Sequence, residues 1–129
     1  MSQSQTPLRV LIVEDEEDMC WALRTLVEAE GYRPTVARTA QEALGILGDT
    51  SFHLAFVDLK LPDMEGFELV GRLRGLLPSL PCVLVSGYLY DDDETVQASL
   101  KAGLICGFIG KPFLLSQVRE ALRLTGCSR

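Results

Sequence analysis

The feature that most restricts the fold of this chain is a set of short, unbroken apolar runs, each ending in a chemically useful side chain. Val10-Leu-Ile-Val13 runs into Glu14 and Asp15, and Leu54-Ala-Phe-Val57 into Asp58. Val83-Leu-Val85 leads to Ser86, and Phe108-Ile109 is followed, after Gly110, by Lys111-Pro112. Short continuous apolar runs bounded by turn residues are the pattern of parallel strands buried on both faces. Open parallel sheets place their ligands outside the carboxyl ends of the strands. One sheet therefore gathers the carboxylates of Glu14, Asp15 and Asp58, the Ser86 hydroxyl and the Lys111 ammonium at a single rim. That set suits a divalent cation and a phosphoryl group, with Asp58 as the acceptor.

The segments between these runs read as helices. Cys20, Leu23, Leu26 and Val27 recur at helical spacing within 16–30, and Gly31 stops that helix. After a weak strand at 34–37, Thr39-Ala-Gln-Glu42 is a capping-box pattern opening a helix with Ala43, Leu44 and Leu47 inward. Further helices are expected at about 65–77, with Phe67, Val70 and Leu73 on one side, and at 91–102, with Val96 and Leu100 inward and Gly103 past its end. The last covers about 115–124, with Leu115, Val118 and Leu122 in phase, after a fifth strand at about 105–109. Five alternating strand–helix units with right-handed crossovers imply an α/β fold with a doubly wound, five-stranded parallel sheet, for which 2-1-3-4-5 is the natural order. Asp15 and Asp58 then face each other at the switch point between strands 1 and 3.

Composition narrows the function classes. A length of 129 residues suits a single domain: a polar lead-in at 1–7, the domain at 8–124 and a short tail at 125–129. The formal charge of −6 works against binding nucleic acid through its phosphates. Met1–Pro7 lacks the basic and apolar regions of a signal peptide, and no run reaches the ~20 apolar residues of a membrane span, so a cytoplasmic location is the expectation. Cys20, Cys82, Cys106 and Cys127 show no metal-binding spacing and read as reduced thiols in or near the core. His53 reads as a loop histidine with no special role. Asp91-Asp-Asp-Glu94 reads as a solvated helix cap and not a second metal site.

Taken in order, Val10-Leu-Ile-Val-Glu-Asp15, Val57-Asp-Leu-Lys-Leu-Pro62 with Gly66 after it, Val85-Ser-Gly87, Lys101-Ala-Gly103 and Lys111-Pro-Phe113 resemble the receiver domain of bacterial two-component response regulators. The resemblance covers about Leu8 to Leu124. It implies a flavodoxin-like fold and phosphorylation of Asp58 by a histidine kinase or histidine phosphotransfer protein, with Mg²⁺ or Mn²⁺ required. Such a module is a signalling phosphoacceptor and not an enzyme, promoting only its own phosphorylation and autodephosphorylation. Glu14, Asp15 and Asp58 would hold the cation, and family analogy adds the backbone carbonyl of Lys60. The resemblance further implies a cis peptide at Lys111-Pro112 that aims Lys111 at the phosphoryl group, a switch hydroxyl at Ser86 and a switch aromatic at Phe108.

The chemistry agrees with that picture on its own terms. A carboxylate attacks phosphorus to give an acyl phosphate, and transfer depends on positioning and on neutralising the equatorial oxygens. Mg²⁺ takes a few carboxylates plus water and phosphate. Lys60 and Tyr88, two residues past Asp58 and Ser86, stand at positions that in this family tune the lifetime of the phosphorylated state. Ile105-Cys106 replaces the acidic or polar residues often found before the switch aromatic, which is expected to make the face of helix 4, strand 5 and helix 5 less polar. That face is a candidate surface for a dimer or output partner. A relay intermediate passing its phosphoryl group on to a histidine phosphotransfer domain is the alternative reading. A flavodoxin-type cofactor binder shares the architecture, but acid at the first loop would repel its phosphate.

Overall fold

The computed structural model describes residues 8–48, 51–87 and 93–124. Five strands, β1 (Arg9–Val13), β2 (Arg33–Ala37), β3 (Leu54–Asp58), β4 (Cys82–Ser86) and β5 (Gly107–Gly110), alternate with five helices. These are α1 (Glu17–Ala29), α2 (Ala40–Ile46), α3 (Gly66–Leu76), α4 (Glu94–Lys101) and α5 (Leu115–Leu122). All strand pairs are parallel, and the sheet runs β2-β1-β3-β4-β5. This is the doubly wound order expected from the sequence, with β1 and β3 at the switch point.

Strand composition follows position in the sheet. Every residue of β3 and β4 is buried, and both read as continuous apolar runs, whereas β2 and β5 at the edges are only partly covered. Alternate residues feed two cores. Leu11, Val13, Ala55, Val57 and Leu84 meet α2, α3 and α4 on one face. Val10, Ile12, Phe56, Val83 and Val85 meet α1 and α5 on the other. Each fully buried Leu, Ile or Phe contributes roughly 1.5–3 kcal/mol by removal of apolar surface from water. The ends of the central strands, and the polar groups they carry, therefore sit on a rigid platform.

Two helices end by the same device. Gly31 and Gly103 take positive φ of 90° and 77°, a conformation glycine enters without steric cost. The Gly31 and Tyr32 amides donate to the Glu28 and Val27 carbonyls at 3.0 and 3.1 Å. Those of Gly103 and Leu104 donate to Leu100 and Ser99 at 3.1 and 2.9 Å, so both termini are Schellman motifs. The second motif corrects the expected start of the last strand. Leu104 and Ile105 both spend their amides on the Ser99 carbonyl, and pairing to β4 begins only with Cys106, whose N–H donates to the Cys82 oxygen at 2.8 Å. Ile105 is consequently core and contributes nothing to the outer face, while Cys106 is exposed rather than packed.

Other expectations are corrected in the same way. Leu115 is 42% exposed, because Val118, Ala121 and Leu122 already fill the inward face of the short α5. His53 has a structural role after all. Its Nδ1 accepts from the Arg9 N–H at 3.0 Å while its own N–H donates to the Arg9 oxygen at 2.8 Å, closing the entry to β1 and β3. In the Thr39 capping pattern, Thr39 Oγ1 accepts from the Glu42 N–H at 3.0 Å, but Glu42 reaches back one residue too far for a capping box and accepts from Arg38 instead. Asp93 caps α4 through the Thr95 and Val96 amides. Expectations for residues 1–7, Tyr88, Asp91, Asp92, Cys127 and the tail at 125–129 lie outside the described residues.

Candidate functional site

The sheet delivers its polar residues to one rim. Asp58 is the last residue of β3, with only 4% of its surface exposed, and Glu14, directly after β1, is 1% exposed. Asp15 follows in the open. One carboxylate oxygen from each of Glu14, Asp15 and Asp58 lies within 4.8 Å of the others, the single such cluster of potential metal ligands among the described residues.

Lys111 reaches this cluster from the far side of the sheet. Its N–H donates to the Ser86 carbonyl at 2.8 Å, which pins the chain leaving β5 to the end of β4, and its peptide bond to Pro112 is cis. The ammonium then lies 3.1 Å from Glu14 Oε1, 3.3 Å from Glu14 Oε2 and 3.4 Å from Asp58 Oδ1, with Glu16 farther off at 3.9 Å. Glu14 Oε1 and Asp58 Oδ1 are nonetheless buried without an aligned hydrogen bond. Two buried, under-satisfied hard oxygens next to a third carboxylate are the donor set a small divalent cation takes. The residues present fit such an ion.

Electrostatics point the same way. Burial, and then the charge of Asp58, push the Glu14 carboxyl up to about 7 despite the Lys111 ammonium. Burial also raises Asp58 above the usual aspartate range, with Lys111 opposing. For Lys111, burial disfavours the charged form, but the Glu14 and Asp58 carboxylates outweigh it and hold the ammonium above the ordinary lysine value. One cation among two buried acids leaves negative charge uncompensated, and a bound cation would supply the balance.

The remaining sequence candidates fall around this centre. Ser86 is fully buried at the end of β4. Lys60 is exposed just past Asp58 and forms an isolated bridge with Glu65. Phe108, opposite Leu84 in the ladder, is half-buried beside the core over α2–α4 and lines a cavity of about 590 Å³ between β5 and α5. Tyr88 lies outside the described residues.

Four residues around the rim had no reading as individual site elements in the sequence. Gly66 opens α3 and donates its N–H to the Leu59 carbonyl at 2.6 Å. Cys20 Sγ donates to the Glu14 carbonyl at 2.9 Å, and Arg38 Nη2 to the Asp15 carbonyl at 2.8 Å. Asp63 accepts from the Ala40 and Gln41 amides, both at 2.9 Å, and so caps α2 from another loop. Those hydrogen bonds hold its carboxyl below the usual aspartate range. Only Gly66, within the quoted motif, had any sequence signal; the other three act through contacts that no local pattern encodes.

Comparison with known proteins gives a consistent result. The family model described as the response regulator receiver domain matches residues 10–123. An uncharacterized 14.6 kDa protein from Leptolyngbya boryana is 37% identical over 78% of this chain and 77% of its own length. The transcriptional regulatory protein KdpE of Mycobacterium tuberculosis is 35% identical over 88% of this chain, but only 50% of its own length. The chain thus spans about half of that regulator. Among solved structures, a CheY-like response regulator receiver domain protein from Methanospirillum hungatei superposes with a TM-score of 0.85 at 29% identity, covering 95% of this chain and 97% of that one.

Proposed function

The chain belongs to the response regulator receiver domain family, and on that premise we propose that it is a phosphoacceptor whose Asp58 takes a phosphoryl group from a histidine kinase or histidine phosphotransfer protein. The observation that carries this reading is the convergence of Glu14, Asp15 and Asp58 within 4.8 Å, with the Lys111 ammonium at ion-pair distance from two of them. An Asp58 carboxylate oxygen forms the new bond to phosphorus as the bond from phosphorus to the donor histidine nitrogen breaks. Lys111 stands ready to neutralise a phosphoryl oxygen, and the Ser86 hydroxyl at the end of β4 to hydrogen-bond another.

Glu14, Asp15 and Asp58, with the Lys60 backbone carbonyl by family analogy, are the residues to hold Mg²⁺ or Mn²⁺. When bound, the ion supplies positive charge to the equatorial oxygens during transfer. Burial of Glu14 and Asp58 keeps competing water away from the acceptor, and raises the energy of the metal-free dianionic site. Phosphorylation would then change partner binding through Ser86, Phe108 and the α4–β5–α5 face, where Phe108 borders the cavity next to exposed Cys106. Action in the cytoplasm belongs to the same reading and rests on the family. No helix among the described residues is long and apolar enough to cross a membrane.

The test is chemical labelling. Acetyl phosphate with Mg²⁺ should phosphorylate Asp58 alone, as read by mass spectrometry after reductive trapping of the acyl phosphate. Undiminished labelling of Asp58→Asn would refute the assignment.

A further inference from the structure

Arg38, between β2 and α2, is not among the groups assigned to phosphoryl transfer or cation binding above. Its side chain crosses to the β1–α1 turn, where Nη2 donates to the main-chain oxygen of Asp15 at 2.8 Å. The base of that side chain is held in turn: the Arg38 N–H donates to Glu42 Oε1 at 2.7 Å. Behind it, Thr39 and Asp63 occupy the first amides of α2. Three loops at the rim are thereby tied together, and the guanidinium projects from a turn in which the Arg38, Ala40, Gln41 and Glu42 amides all have side-chain acceptors.

Asp15 differs from its two partners in the carboxylate cluster. Glu14 and Asp58 are oriented by the core around them, whereas Asp15 is exposed and no packing directs its side chain. Its direction therefore depends on the backbone that carries it. That backbone is gripped from both sides: Cys20 holds the Glu14 carbonyl and Arg38 the Asp15 carbonyl. Partners of this kind, which touch a ligand residue and not the ion, tune metal affinity in other sites.

We propose that Arg38 is a positioning residue for the cation site, holding Asp15 in the orientation that lets its carboxylate join those of Glu14 and Asp58. This rests on the reading of those three carboxylates as the Mg²⁺ ligands. The alternative, that Arg38 acts only as a nearby charge, has the opposite sign. A guanidinium beside the site repels a divalent cation, so deleting the charge would tighten Mg²⁺ binding, whereas deleting a positioning contact weakens it.

Isothermal titration of the full chain with MgCl₂ separates the two, for the wild type, Arg38→Met and Arg38→Lys, with thermal melts in EDTA alongside. Arg38→Met is expected to weaken Mg²⁺ binding about tenfold, and Arg38→Lys, which keeps a donor, to recover part of that loss. Metal-free melting temperatures should stay within about 2 °C of the wild type, because Arg38 is exposed. Unchanged or tighter binding by Arg38→Met overturns the proposal. So does a weakening matched by a comparable loss of metal-free stability, since Arg38 would then be holding the fold and not the carboxylate. Failure of the cation-site reading itself is distinct, because the wild type would then show no Mg²⁺ binding at all.

Discussion

Gly66 and Asp58 are in backbone contact: a methyl group on Gly66 would stand 2.5 Å from the main-chain oxygen of Asp58 and 2.7 Å from the Cα of Leu59. The obstacle is main chain on both counts, so no side chain can swing away to make room. Gly66→Ala must push α3 off the end of β3. An alanine in a helix ordinarily helps, but here overpacking is expected to cost about 1–3 kcal/mol and to slow labelling of Asp58. Urea denaturation and acetyl phosphate kinetics check both effects; a stabilised, fully active variant would show that the rim tolerates the shift.

The raised carboxyl of Glu14 gives the metal-free protein a defined pH dependence. Between the ordinary value of 4.5 and about 7 the folded chain keeps a proton that the unfolded chain has lost. Stability therefore falls as pH rises through that window, by at most about 1.4 kcal/mol per pH unit for one group. Asp58 shifts in the same direction, and the raised Lys111 acts only above 10.5. Melts in EDTA at pH 5 and pH 8 should show the decline, Glu14→Gln should reduce it, and Mg²⁺ affinity should increase over the same range. A metal-free protein equally stable at both pH values would contradict the burial argument.

Lys111→Met removes the one ammonium within ion-pair distance of both Glu14 and Asp58 among the described residues. The metal-free variant is expected to lose about 2–3 kcal/mol, short of the cost for fully buried pairs because the carboxylates can take up protons. Mg²⁺ should restore much of that loss by binding the same carboxylates. Labelling of Asp58 should slow by about a hundredfold, the scale for losing one preorganised electrostatic contact. Stopped labelling assays and melts with and without Mg²⁺ read these outcomes, and a variant with wild-type labelling rates would remove Lys111 from the transfer step.

Lys60 stands exposed at the mouth beside Asp58, with its strand-like bridge to Glu65 holding its backbone there. Autohydrolysis needs a water in line with the phosphorus, opposite the Asp58 oxygen. Lys60→Asn, Tyr88→Ala and the double variant are each expected to lose phosphate faster than the wild type, by a few-fold singly. Decay of trapped phosphoprotein over time measures this. Unchanged or slower decay in all three would place control of water access elsewhere.

The residues of the site were legible because each one follows an apolar run, and a buried parallel strand has few other ways to appear in a sequence. The grip on those residues was not legible. Arg38 is 23 residues from Asp15 and Asp63 is 23 from Ala40, and such contacts follow only once the crossovers have brought the loops together. Burial at Ile105, Cys106 and Leu115 is illegible for the same reason: apolar character does not say which side of a cap or short helix faces inward. The role of His53 has no local signature, because its partner, Arg9, is 44 residues away.

By itself, the sequence determined the alternation of strands and helices, the 2-1-3-4-5 order, and the set of acids, hydroxyl and lysine at one rim. Hydrophobic periodicity gives the alternation, the handedness of crossovers narrows the sheet to a few orders, and the ordered receiver-domain motifs agree with 2-1-3-4-5 among them. Only the tertiary structure decided that Glu14 is as buried as the core around it, that Lys111 spans two carboxylates, and that Gly66 lies against the Asp58 backbone. These depend on desolvation and on distances of a few ångströms between segments far apart in the chain, and such quantities exist only after the sheet has closed over its helices.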